Sequence, residues 1–141
     1  MNVSLPKFFL SLLAALAALC TAGCRDYDTI SRRYSTLAEA QEDIQKGWIP
    51  ACLPPSSHSI ADSHDLDTNV GHGTFKFAPA DFAKFQSEKA ATDADFAARR
   101  VAHDEWKPLA NAGYHFVAIP EFIIAVHPSG KGRYWLSLDR P

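Results

Sequence analysis

Several things are scarce in this chain of 141 residues. It has a single Met and three Cys. No Cys-x-x-Cys pair occurs, and no second Cys pair accompanies Cys20 and Cys24 as a paired-thiolate metal site would need. No Gly-rich phosphate loop, dinucleotide fingerprint or Gly-x-Ser-x-Gly elbow occurs, and so the common nucleotide and serine-hydrolase chemistries have no motif here. No basic run or stripe exists, and the net charge is −2, which excludes nucleic acid as an expected partner. There is no internal repeat and no low-complexity segment. The longest apolar run, Phe8 to Cys20, falls short of the about 20 residues that span a bilayer.

That run has a different use. Lys7 precedes it, and Thr21, Ala22 and Gly23 follow it as small residues before Cys24. A positive residue, a short apolar stretch and a small-residue cut site make a secretory signal, because the peptidase binds an extended chain in a tight groove. Cys20 is a poorer cut site, since bulky Leu19 precedes it. Residues 1–23 are therefore expected to leave as a signal peptide. The mature chain then loses Lys7 and is one unit more acidic than the precursor. Cys20 would go with the signal, and with Cys24 used for lipid only Cys52 would remain. No intramolecular disulfide is then available, and a buried or half-buried thiol is expected.

Ala22-Gly23-Cys24 resembles the tail of a bacterial lipobox, although Thr21 stands where Leu is commoner. The resemblance implies a thioether-linked diacylglycerol on Cys24 and an N-acyl chain such as palmitate, and no other cofactor. Several acyl chains at about 0.8 kcal/mol per buried CH₂ hold a protein firmly on a membrane. Arg25, not Asp, follows the Cys, which by the same resemblance implies the periplasmic face of the outer membrane.

Residues 24–34 are polar and read as a lipidated tether, and residues 35–141 as one domain. Thr36 and Glu39 form a capping box before a helical face of Leu37, Ala40 and Ile44, which Gly47 ends. The proline-rich stretch Gly47–Pro55 is extended, pinned to the core by Trp48, Ile49 and Leu53. Residues 60–66 and 74–77 read as a hairpin around a turn holding Asp67-Thr68-Asn69 and Gly71-His72-Gly73. Residues 79–90 and 93–104 read as helices, the second opened by Thr92 and Asp95. Residues 114–119 are β-rich. The alternation of Phe122, Ile124 and Val126, and of Tyr134, Leu136 and Leu138, predicts a C-terminal antiparallel hairpin. The expected fold class is α+β, with an antiparallel sheet of four to five strands and helices packed on one face.

Gly47-Trp48-Ile49-Pro50, Leu53-Pro54, His64-Asp65-Leu66-Asp67-Thr68-Asn69 and Phe75-Lys76-Phe77 resemble an ordered motif of small, uncharacterised bacterial envelope lipoproteins. That resemblance covers the first third of the mature domain, implies a folded periplasmic domain, and carries no activity or catalytic residues with it.

Candidates for chemistry cluster between residues 58 and 72. His58, His64, His72 and Asp67 have the donor chemistry for zinc or copper if a hairpin gathers them. Against this, alternation puts His64 beside Ile60 and Leu66 on one strand face, as a half-buried hydrogen-bonded residue, and Asp67 suits a turn. Cys52 has no neighbouring base or helix N-terminus to activate it. Trp48, Trp106 and Trp135 are candidate anchors for a partner, or else they cover the sheet. The leading expectation is a non-enzymatic module that contacts the membrane through its lipid and another envelope protein through its domain. A metal or small-ligand binder using His58, His64 and His72, and a hydrolase with an unrecognised site, are the alternatives.

Overall fold

A computed structural model describes residues 28–100 and 106–137. Cys24 and the expected signal segment lie outside the described residues. Seven strands form one sheet: β1 (Thr29–Thr36), β2 (His58–Asp65), β3 (Gly71–Lys76), β4 (Ala91–Thr92), β5 (His115–Ala118), β6 (Phe122–His127) and β7 (Lys131–Leu136). Their order across the sheet is β1-β2-β3-β7-β6-β5-β4, and every neighbouring pair is antiparallel. The described helices are short: α1 (Gln41–Gln45), α2 (Phe82–Glu88) after a 3₁₀ turn at Pro79–Asp81, α3 (Ala94–Ala98) and α4 (Trp106–Asn111).

This corrects the expected architecture. The protein is mostly β, with seven strands where four to five were expected, and its helices do not share one face. Strand β6 shows why. Phe122 to Val126 are all buried, in an apolar run without polar alternation, as a strand covered on both sides requires. One face carries α1, the extended 47–55 segment and α2, which bring Ala40, Ile49, Leu53 and Phe85 onto Ile60, Phe75, Val117, Ile124, Tyr134 and Leu136. The other face carries α3 and α4, which bring Ala97, Trp106 and Leu109 onto Phe116, Ile123, Ala125 and Trp135. Among the described residues the second cover reaches β5, β6 and β7.

Two strands escaped the sequence pattern. β1 begins inside the stretch expected to be tether, and it pairs with β2 from Thr29 to Tyr34 and again at Thr36. It lacks apolar alternation because its inward residues include Arg32, which binds a buried carboxylate and not a hydrocarbon core. β4 is only two residues long. Gly71 and Gly73, expected in a turn, lie inside β3. The capping box forms in part: Glu39 N–H donates to Thr36 Oγ1 at 3.3 Å, but the Glu39 carboxylate accepts from Ser35 N–H. Helix α3 is capped by Asp93, whose Oδ1 accepts from Phe96 N–H at 2.6 Å, one residue beyond the expected cap.

The β2–β3 turn is held by Asp65. Its Oδ1 accepts from Asp67 N–H at 3.1 Å, Thr68 N–H at 2.7 Å and Thr68 Oγ1 at 2.8 Å. The Thr68 N–H, first among these donors, keeps the Asp65 carboxyl below its ordinary range. A carboxyl whose pKa is lower in the folded than in the unfolded chain stabilises the fold above the unfolded value. That contribution fades as pH falls through the folded one. Between about pH 5 and 2, thermal unfolding of the wild type should therefore lose more stability on acidification than Asp65→Asn. Equal acid limbs would contradict this account of the turn.

Candidate functional site

Alternation along β2 turns Ile60, Asp62 and His64 toward the α1/α2 face and Ala61, Ser63 and Asp65 to the other. On the inward face, one row crosses the sheet as Arg32, Asp62, Gly73, Tyr134, Ile124 and Val117. The absence of a side chain at Gly73 lets Tyr134 lie over β3. Tyr134 Oη then donates to Asp62 Oδ1 at 2.7 Å. The other carboxylate oxygen lies 2.5 Å from His64 Nδ1. Trp48, from the extended segment, stacks on the His64 ring with centroids 4.0 Å apart and planes within 5°. Burial pushes the Asp62 carboxyl above its usual range, against the pull of Tyr134 and His64. Burial and the neighbouring Asp62 push the Tyr134 phenol up as well.

Beside it stands a second buried carboxylate. Asp43, from α1, accepts from Arg32 Nη1 at 3.0 Å and from Tyr34 Oη at 2.5 Å. Two edge-strand residues thus satisfy an acid that α1 carries into the core. An unpaired charge there would be costly, so Arg32 and Tyr34 are what allow β1 to close the layer.

An Asp–His pair with a tyrosine is the arrangement expected of acid–base catalysis, but a general base must reach a substrate proton. Here the side chains of His64 and Asp62 are 2 % and 0 % exposed. Their geometry fits a hydrogen-bonded core cluster, which pins β2, β3, β7 and the Trp48 segment together.

The other expected ligands are not gathered around His64. His58 is exposed at the start of β2, with Nδ1 3.1 Å from the Ser56 carbonyl oxygen. Asp67 is exposed in the turn, and His72 lies on the opposite face of the sheet from His64. Among the described residues, no group of three or more His, Cys, Asp or Glu side chains could hold a metal ion. The tryptophans are separated too. Trp48 is half-buried over His64 on one face, whereas Trp106 and buried Trp135 belong to the second cluster on the other. Cys52 is half-buried, and burial raises its thiol pKa.

What the sequence did not disclose is the half of the second face that no helix among the described residues covers. Two rows cross it. One runs Arg33, Ala61, Thr74, Arg133 and the next runs Ser31, Ser63, His72, Trp135. They outline an open groove of about 430 Å³. Ala61, Ser63 and Thr74 give it a low floor, and Arg33 on β1 and Arg133 on β7 stand at its sides. The Arg133 guanidinium also lies 5.6 Å from the centre of the Trp135 ring, where the apolar cover begins. Arg32 and Arg33 look alike in sequence, yet alternation sends the first to Asp43 and the second to the groove.

Residues 28–76 match a family model described as the YbbD head domain, a bacterial domain. The match spans β1 to β3, so it includes Asp62, His64 and one side of the groove and leaves out Tyr134 and Arg133. No curated protein and no solved structure matches the chain.

Proposed function

We propose that this protein is a non-enzymatic binding module of the bacterial cell envelope, held by lipid on Cys24 at the periplasmic face of the outer membrane. The observation that carries this reading is the uneven covering of the sheet. The acid–base-like cluster at Asp62 and His64 is sealed on the filled face, and among the described residues the half-face over β1, β2 and β3 carries no helix and holds a polar groove. Residues with chemistry to offer solvent are in that groove, and they suit recognition more than reaction. The Thr21-Ala22-Gly23-Cys24 sequence and the short apolar run before it support the anchor. No helix among the described residues is long and apolar enough to cross a membrane, and the reading asks for none.

A lipid on Cys24 would lie within about 14 Å of Asp28, the residue before β1, since four residues reach no further. The edge strand would then stand close to the bilayer, with the groove beside it. Labelled palmitate should enter the wild-type chain and not Cys24→Ala. Cross-linking in intact cells, followed by membrane purification, should return a recurrent stoichiometric envelope component that is missing from the Cys24→Ala control. An unlabelled wild type, or the same adducts in the soluble variant, would contradict the reading.

A further inference from the structure

Beside the groove, where β3 meets β7, the same face has a second opening. Lys76 on β3 and Lys131 on β7 are direct partners in the antiparallel register, and both are exposed. Side chains directly opposite each other start about 5 Å apart, and two like charges in that place cost stability. Among the described residues no carboxylate pairs with either lysine, whereas Lys46 and Lys84 each have a glutamate one helical turn away. Both lysines line an open pocket of about 370 Å³ together with Ser59, Thr74 and Tyr114, and none of its lining residues is acidic. Ser59 reaches it through a bulge in β2. The register slips between His58 and Ala61, and Ser59 takes φ +49°. Residues other than glycine rarely adopt that conformation, and a bulge re-aims a side chain. Tyr114, just before β5, packs against the His127 ring with centroids 5.1 Å apart. Arg133 borders the pocket with its guanidinium over Trp135.

An anion bound between the two ammoniums removes their repulsion, and the groups present select its kind. Lysine is a compact point charge that binds phosphate without the planar fork that favours a carboxylate on arginine. Two lysines in one place match a group carrying close to two negative charges. A phosphate monoester is such a group at neutral pH, and a carboxylate is not. Its three terminal oxygens are enough for two ammoniums and a hydroxyl. The volume lies within the range of small-molecule sites, with room for the body of a ligand beside the Tyr114 ring. We infer that Lys76 and Lys131 bind a phosphate monoester, with Ser59 and Thr74 donating to its remaining oxygens and Tyr114 against the group that carries it. This rests on the reading of the chain as a binding module and names the chemistry of what it binds.

The test uses the full chain purified in detergent micelles, in a buffer free of phosphate. Calorimetric titration compares phenyl phosphate, benzoate and inorganic phosphate. Phenyl phosphate should bind about tenfold or more tightly than either of the others. Lys131→Gln should weaken that binding about tenfold, the loss of one charge-assisted contact. Without ligand, the same variant should melt at or slightly above the wild-type temperature, because it relieves the repulsion from Lys76 and breaks no ion pair. Lys84→Gln, exposed on α2 of the opposite layer, should bind as the wild type does. Added salt should weaken binding, because the pocket is open to screening. Titration of the chain in vesicles with and without phosphatidic acid separates two sources of the monoester. Unchanged affinity means a ligand free of the bilayer, and competition by that lipid means a headgroup. Phenyl phosphate binding no tighter than benzoate or inorganic phosphate, no binding at all, full binding by Lys131→Gln, a lowered melting temperature in that variant, or an equal loss in Lys84→Gln would each overturn the inference. A recurrent cross-linked envelope component alongside any of those results leaves the binding module standing and removes only the phosphate.

Discussion

Asp62→Ala should lower stability by about 3–5 kcal/mol, because it orphans two buried groups at about 1–3 kcal/mol each and opens a small void. Tyr134 Oη loses its acceptor and His64 Nδ1 loses its partner, both in a place that water does not reach. Asp62→Asn keeps the shape and one acceptor oxygen, so its loss should be clearly smaller. Against a total of about 5–15 kcal/mol for a domain, the alanine variant sits near the edge of folding at body temperature. Urea denaturation of the two variants reads this directly. An alanine variant within about 1 kcal/mol of wild type would mean that the cluster is not what joins β2 to β7.

Gly73→Ala should cost a similar amount for a different reason. A Cβ at this position would lie 2.2 Å from Tyr134 Cζ and 2.5 Å from the Ala61 carbonyl oxygen. The tyrosine can give way only by leaving Asp62, and the backbone of β2 cannot give way without breaking its pairing with β3. Overpacking of about 1–3 kcal/mol adds to the lost buried hydrogen bond, for about 3–5 kcal/mol together. Because both effects pass through Tyr134, Gly73→Ala and Tyr134→Phe should be non-additive, the double variant losing less than the sum of the singles. Strict additivity would show that the ring does not depend on the bare backbone at Gly73.

These two residues also mark how far the sequence could be read. Phe122 to Val126 and Tyr134 to Leu136 announce a hairpin because hydrophobic alternation and continuous apolar runs are local signals. β1 gave no such signal. Arg32 and Tyr34 face inward to bind Asp43, a partner supplied by a helix that no local pattern connects to them. Gly71 and Gly73 looked like turn residues, since glycine is the usual turn former. Their role is to make room for Leu136 and Tyr134 from a strand some 60 residues later. The helix α4 had no sequence signal, and Pro108 fits within it because it is the third residue of Trp106–Asn111, in a first turn where no intrahelical N–H is needed.

The candidate site was legible to the same degree. The density of His and Asp between residues 58 and 72 was visible, and so was a hydrogen-bonded His64, although the structure buries it fully where half-burial was expected. Which residues shared a face was not, because His64 and His72 come from adjacent strands with opposite parity in the register. The groove was invisible for a similar reason. Arg33 and Arg133 are 100 positions apart, and only the insertion of β7 beside β3 puts them on one row. Helix cover decides the rest. Among the described helices α3 and α4 shield Ile123, Ala125 and Trp135 and do not reach β3, so the apolar residues of β5 and β6 become core while the polar ones of β1 to β3 line the groove.

If the protein is the envelope-binding module proposed above, the half-face over β1 to β3 that no described helix covers is where it meets its partner. A photoreactive residue introduced at Thr74, exposed in the groove, and separately at Lys84, exposed on α2 of the opposite layer, tests it in intact cells. The expected result is one recurrent adduct from position 74 that disappears in the Cys24→Ala background and never forms from position 84. Adducts of equal yield from both positions, or from position 84 alone, would contradict the claim.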